Sequence, residues 1–270
     1  MGLGKTVQLI ALLLRERSRG RRGAVPGPTL VVCPMSVVGN WNRELQRFAP
    51  SLRTVVHHGA DRLSDTAFAE SARDVDVVLT TYALAGRDEA TLSQVHWHRV
   101  VLDEAQNIKN SAAKQTRAIK RLRAARRVAL TGTPVENRLA ELWSIMDFLD
   151  PGYLGREGEF RRAFAIPVER YRDPGRAETL RRLVQPFVLR RMKTDRSIIR
   201  DLPEKVEATV YCNLTGEQGT LYEAVVTEML ERIEGSEGIE RKGLVLATLT
   251  KLKQVCNHPA QFLHDGSALG

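Results

Sequence analysis

The sequence is short of cysteine, of aromatic residues and of long apolar runs, and each shortage closes a class of protein. Cys33, Cys212 and Cys256 are an odd number at wide spacing. They build neither a disulfide framework nor a four-ligand zinc site, which points to a reducing, cytoplasmic setting. Cys256 and His258 lie close together, but two ligands do not complete a structural metal centre. The longest apolar stretch near the start, Val7 to Leu14, contains Gln8 and stops at Arg15. It falls far short of the roughly 20 residues that span a bilayer, and its flanks do not suit a signal peptide. No membrane association is expected.

Acid is also scarce. Against 41 Lys and Arg there are 32 Asp and Glu, a net charge of +9. From Ser111 to Thr131 there are seven basic residues (Lys114, Arg117, Lys120, Arg121, Arg123, Arg126, Arg127) and no acid. A second basic run holds Arg190, Arg191, Lys193, Arg196 and Arg200. Such runs are usually solvated helix faces, but they also suit a polyanionic partner such as nucleic acid. With 43% hydrophobic and 27% charged residues, the remaining composition is that of an ordinary globular protein with sizeable cores.

The pattern alternates strand and helix over the first two thirds. Strands are predicted at Thr29 to Cys33, Arg53 to His57, Val75 to Thr80, Arg99 to Asp103 and Arg127 to Thr131. Helices are predicted at Thr6 to Arg17, Val37 to Phe48, Ala67 to Arg73 and Ala112 to Ala124. Short Val- and Leu-rich strands between helices predict an α/β fold, a parallel sheet covered on both faces. Arg19 to Pro28 reads as a basic surface loop. Beyond Pro134 the chain becomes mostly helical. Arg138 to Leu149 has a broad apolar face, and short helical pieces follow, interrupted by Pro151, Pro167, Pro174 and Pro186. Glu207 to Leu214 reads as one more strand, followed by helices at Gly216 to Ile233 and Gly243 to Val255.

Three motifs carry chemistry. Met1-Gly2-Leu3-Gly4-Lys5-Thr6 stands directly before a helical run. Glycines let the backbone approach an anion closely, and N–H groups at the helix start face it. Gly2 and Gly4 would shape that cradle, Lys5 would reach the β and γ phosphates of ATP, and Thr6 would hold Mg²⁺. The full phosphate loop extends further before Gly4 than this chain does, and the strand that should lead into it is absent. A start inside a longer protein, or a true truncation, is expected. Next, Val100-Val101-Leu102-Asp103-Glu104 is an apolar strand ending in two carboxylates, at the sheet edge where α/β ligands bind. Asp103 would hold Mg²⁺ with Thr6, and Glu104 would orient or deprotonate the attacking water. Finally, Thr131, Gly132 and Thr133 follow the next strand and fall on the same edge, placed to sense the γ-phosphate. Taken alone, an acidic strand end and a Thr-Gly-Thr-Pro loop are both commonplace.

In order along the chain come Met-Gly-Leu-Gly-Lys-Thr, Val32-Cys33-Pro34, Asn40-Trp41, Thr80-Thr81-Tyr82 and Asp103-Glu104-Ala105-Gln106. They are followed by Leu130-Thr131-Gly132-Thr133-Pro134-Val135-Glu136-Asn137, Phe187-Val188-Leu189-Arg190-Arg191 and Cys256-Asn257-His258-Pro259. The series resembles the Swi/Snf-type ATPases, double-stranded DNA translocases of the DEAD/DEAH-box helicase-like superfamily two. Asp-Glu-Ala-Gln with Ile108-Lys109-Asn110 is similar to the bacterial-type members.

The resemblance implies that Lys5, Asp103 and Glu104 are catalytic, with ATP and Mg²⁺ as cofactors. It implies that Gln106, Thr131, Gly132 and Thr133 couple nucleotide state to movement. It also implies that Pro34, Ser36, Thr80 and Thr81 contact the DNA backbone, where hydroxyls and N–H groups position without reading sequence. The implied organisation is a RecA-like ATP-binding lobe at 1–150, a helical protrusion of that lobe at 151–205, and a linker with a second protrusion at 206–270. The second RecA-like lobe, with its arginine fingers, would lie outside the chain, which would then have little ATPase activity by itself. Implied partners are double-stranded DNA and proteins bound to it, in association with the nucleoid. Two other readings stay open: a non-catalytic fragment that binds DNA or a partner through its basic surfaces, and another phosphate-loop enzyme such as a small-molecule kinase. The kinase explains neither Thr-Gly-Thr-Pro nor Phe-x-Leu-Arg-Arg.

Overall fold

The computed structural model describes residues 4–20, 27–132, 138–191, 208–235 and 237–264. They belong to two compact units, Met1–Arg200 and Asp201–Gly270.

Among the described residues the first unit is built on five strands: β1 (Thr29–Cys33), β2 (Thr54–Val56), β3 (Val77–Thr81), β4 (Trp97–Asp103) and β5 (Ala124–Leu130). All pair in parallel, in the order β2-β3-β1-β4-β5. Parallel pairing requires a crossover between successive strands. Helices supply it: α2 (Met35–Phe48), α3 (Asp65–Arg73), α4 (Tyr82–Arg87), α5 (Glu89–Leu92) and α6 (Lys114–Arg121), while α1 (Lys5–Gly20) leads into β1. Successive side chains of a strand point to opposite faces. Accordingly Val31, Cys33, Val77, Leu79 and Val101 pack with Leu9, Ile10 and Leu13 of α1 and Val38, Trp41 and Leu45 of α2. On the other face Leu30, Val32, Val78, Val100 and Leu102 meet Phe68, Tyr82, Leu92, Ile108, Ile119 and Phe148. Burial on both faces is why β1 and β3 are apolar without alternation. The edge strand β5 carries Arg126 and Arg127, a composition that discourages pairing with another chain.

Next comes α7 (Leu139–Leu149), which is apolar almost all round because it serves two cores. Ile145 and Phe148 face the sheet core, while Leu142, Trp143 and Met146 pack with Phe160, Ala165, Leu180 and Val184. Those partners come from α8 (Glu157–Phe160), a π-helical turn at Arg161–Ala165 and α10 (Pro174–Val184), with α9 (Ile166–Tyr171) between. Pro167 does not interrupt the helix as the sequence predicts. It stands in the first turn of α9, where the wide turn before it leaves no bond for its missing N–H to break. Pro174 opens α10, with Asp173 accepting hydrogen bonds from the N–H groups of Gly175 and Arg176 at 2.9 and 3.0 Å.

The second unit pairs α11 (Gly216–Glu234) with α12 (Gly238–Asn257), closed by α13 (Pro259–Leu263). Val225, Met229 and Val255 form its core. Of the strand predicted at 207–214, residue 207 lies outside the described residues, and 208–214 are exposed and form no strand, Tyr211 being 92% exposed. Among the described residues no strand lies beside their Val-Tyr alternation. His258 caps α13, its Nδ1 accepting from Ala260 N–H at 3.1 Å. Among the described residues no cluster of His, Cys, Asp and Glu could hold a metal on its own, and no helix is long and apolar enough to cross a membrane.

Candidate nucleotide site

Parallel pairing sends the carboxyl ends of β1, β4 and β5 to one edge of the sheet, and the motif residues collect there. Gly4 has a φ of +70°, a left-handed conformation natural to glycine. It accepts the first hydrogen bond of α1, from Gln8 N–H at 2.9 Å. Lys5 and Thr6 occupy the first turn, both half-buried. Lys5 Nζ lies 3.7 Å from Glu104 Oε1, is shielded from solvent and, among the described residues, has no hydrogen-bond acceptor.

From Glu104 a chain of contacts runs sideways. Gln106 Nε2 donates to Glu104 Oε2 at 2.9 Å, and Thr131 Oγ1 donates to Gln106 Oε1 at 2.9 Å. Lys5, Glu104, Gln106 and Thr131 therefore form one continuous line across the ends of β4 and β5. Gly132 follows and is exposed. Gly2 and Thr133 lie outside the described residues.

Asp103, 8% exposed, closes β4. Its Oδ1 accepts Glu104 N–H at 3.0 Å, and its Oδ2 accepts the indole N–H of Trp41 at 2.8 Å. Burial lifts its carboxyl above the ordinary aspartate value, the hydrogen bond from Trp41 opposes that rise, and the charge of Glu104 adds to it. The same burial, with Asp103 nearby, pushes the Cys33 thiol up to about 12, which makes it an inert core residue. Glu104 adopts φ 50° and ψ 58°, left-handed for a non-glycine residue, and such backbone is found where a side chain must be aimed. Tyr82 OH donates to Asp103 O at 2.8 Å and also lies 3.3 Å from Glu104 O, spanning both sides of that kink.

The four residues implied as DNA contacts divide. Pro34 caps α2 and Ser36 is exposed in its first turn. Thr80 is wholly buried, its hydroxyl donating to His57 O at 3.2 Å. Thr81 is 6% exposed and accepts Leu84 N–H at 3.3 Å as the cap of α4. The threonine hydroxyls are thus committed inside the fold, whereas Ser36 is open to solvent.

The basic run also divides. Lys120 pairs with Asp147 at 2.8 Å, Arg121 with Glu89 at 2.6 Å and Arg126 with Glu16 at 2.6 Å. Arg127 donates to the carbonyls of Phe148, Lys120 and Leu122 at 2.7, 3.1 and 3.0 Å. Lys114, Arg117 and Arg123 are exposed. Arg190 and Arg191 are exposed as well, and Lys193, Arg196 and Arg200 lie outside the described residues.

A five-stranded parallel sheet with a lysine, two carboxylates and a threonine on its carboxyl edge has the layout of a nucleotide-binding α/β domain. The SNF2-related domain family matches residues 1–261, and the chain belongs to that family. YwqA of Bacillus subtilis is 46% identical over 98% of this chain, which spans 28% of that protein. The TATA-binding protein-associated factor MOT1 of Saccharomyces cerevisiae is 36% identical over 97% of the chain, which spans 15% of it. Among solved structures, the Sulfolobus solfataricus SWI2/SNF2 ATPase core in complex with dsDNA is 47% identical. It superposes with a TM-score of 0.67, over 99% of this chain and 54% of that one. The chain therefore spans about half of a solved ATPase core and under a third of these relatives.

Proposed function

We propose that this chain is the ATP-binding part of an ATP-dependent translocase that works on double-stranded DNA. The observation that carries the reading is the shielded Lys5 ammonium at the start of a helix, aimed at Glu104 and, among the described residues, without a hydrogen-bond acceptor. A shielded cation lacking an acceptor is costly unless an anion completes it. The residues present fit ATP and Mg²⁺. Gly4 leaves room for close approach, since a Cβ there would meet nothing nearer than Gln8 Nε2 at 3.8 Å. Thr6 and Asp103 supply the hard oxygen ligands that Mg²⁺ takes. When bound, Mg²⁺ neutralises charge on the phosphates and favours their transfer to water.

Lys5 would bind the β and γ phosphates and Glu104 would orient water and accept its proton. Gln106 and Thr131, already linked to Glu104, would report γ-phosphate state to the neighbouring loop. Duplex DNA as track is supported by the 47% identity to a core solved on dsDNA. A DNA-bound protein as cargo is supported by the name of the yeast relative, a TATA-binding protein-associated factor. Ser36 at the exposed start of α2 is the side chain best placed for a phosphate contact. In this reading the 270 residues alone turn over ATP poorly, because they match only 54% of that core.

The test is steady-state ATP turnover by the protein at its natural length, with and without duplex DNA. Stimulation by DNA that is lost in Lys5→Ala supports the proposal. Turnover in Lys5→Ala equal to wild type overturns the site, and turnover indifferent to DNA overturns the translocase reading.

A further inference from the structure

Two aromatic residues outside the nucleotide motifs are bonded to the acidic pair, Trp41 from the helix whose exposed first turn holds Ser36 and Tyr82 from the helix capped by Thr81. Trp41 belongs to α2, five residues after Ser36, which is about 7.5 Å along a helix. Its indole is 1% exposed, and its N–H goes not to a nearby carbonyl but to Oδ2 of Asp103 at 2.8 Å. Tyr82 is the first residue of α4, directly after Thr81, and its hydroxyl bonds to the carbonyl of Asp103 and reaches that of Glu104. One tether holds the side chain of the residue proposed for Mg²⁺. The other holds the backbone of the left-handed residue proposed to handle water. The indole Trp97, by contrast, donates to Leu92 O at 2.9 Å, a plain core hydrogen bond.

We infer that Trp41 and Tyr82 are positioning residues that carry the effect of DNA from α2 and α4 to Asp103 and Glu104. The inference rests on the proposed function and adds to it the route by which the track controls hydrolysis. A phosphate engaging the start of α2 fixes or shifts that helix, and the indole N–H fixes or shifts the Asp103 carboxylate with it. Movement at the start of α4 acts on the peptide between Asp103 and Glu104, which sets where the Glu104 carboxylate points. A charge-assisted hydrogen bond has the strength and direction for this task. Packing alone would be satisfied by any aromatic ring of similar size.

The experiment compares wild type with Trp41→Phe, Tyr82→Phe and Trp97→Phe in the natural-length protein. Each substitution removes one donor and keeps an aromatic ring. The readouts are the ratio of ATP turnover with and without duplex DNA, the Mg²⁺ concentration giving half-maximal rate, and the melting temperature. Trp41→Phe and Tyr82→Phe are expected to lower the stimulation ratio by about tenfold, the effect of one hydrogen bond made in the stimulated state. Trp41→Phe should also raise the Mg²⁺ requirement. Trp97→Phe should lower the melting temperature and leave the ratio unchanged. If Trp41→Phe does not fold, Tyr82→Phe decides by the same ratio. A ratio in Tyr82→Phe and Trp41→Phe no lower than in Trp97→Phe overturns the inference and leaves the proposed function standing. A wild type that DNA does not stimulate overturns both.

Discussion

Arg99 of β4 and Glu16 of α1 meet through one guanidinium nitrogen, Nη2, which lies 2.8 Å from Oε1 and 2.9 Å from Oε2 of the carboxylate. Arg99 is 2% exposed and, among the described residues, its Nε and Nη1 have no partner, so its charge depends on Glu16. The pair fastens the far end of the helix that begins with Lys5 to the strand that ends in Asp103. Glu16→Ala should therefore cost about 3–5 kcal/mol, the penalty for stranding a buried charge. Replacing both residues by leucine should recover most of that loss. Urea unfolding of the two variants checks both values.

The acid sensitivity of the fold follows from carboxylates with cationic partners. The hydrogen bond from Arg62 holds the Asp88 carboxyl below its usual value, burial opposes it and His57 at 2.9 Å helps. Glu16 is lowered chiefly by its hydrogen bond to Arg99. A carboxyl depressed in the folded state stabilises it fully above the unfolded value, about pH 4, and loses that contribution as pH falls through the folded value. Stability should drop below about pH 4, and the drop should be shallower in Asp88→Asn. Melting temperatures measured from pH 7 to 3 are the check.

The basic residues between Lys114 and Arg127 should split into two groups when changed singly to alanine. Arg127 bonds three backbone carbonyls, and removing it leaves buried acceptors unpaired at a cost of about 2–3 kcal/mol. The exposed Lys114 and Arg117 should change stability by less than about 0.5 kcal/mol. Any DNA affinity lost with them should shrink at high salt, because phosphate contacts act by releasing counterions. Thermal unfolding and DNA titrations at two salt concentrations separate the groups.

Much of this architecture was legible in the chain. The β1 boundaries fall at Thr29 and Cys33 as the apolar run predicts, because a strand buried on both faces leaves an unbroken signature. The end of α6 was less legible. Its predicted helix runs on to Ala124, whereas Leu122 ends the helix and Ala124 opens β5. Ala-Ala-Arg-Arg favours helix locally, and pairing with β4 overrides that preference. In the site, Lys5, Asp103, Glu104 and Thr131 stand in motifs whose chemistry the sequence shows, Gln106 follows from the resemblance alone, and parallel topology explains why they share an edge. Trp41 was visible only as part of a block of resemblance. Nothing in Asn40-Trp41 says that its N–H reaches a carboxylate 62 positions away, since that contact depends on how α2 packs against the sheet. Arg99 was hidden in the same way, a charge inside an apolar strand whose partner lies 83 residues back.

The most direct test of the nucleotide site is Glu104→Gln in the natural-length protein, with ATP binding and ATP hydrolysis measured side by side on duplex DNA. Glutamine keeps the shape, but it has one acceptor oxygen where Glu104 offers two to Lys5 and Gln106, and it cannot accept the proton of the attacking water. The account predicts ATP affinity within a few-fold of wild type and hydrolysis lowered by at least about 10²-fold, the range general-base catalysis contributes. Hydrolysis at the wild-type rate in Glu104→Gln would contradict it.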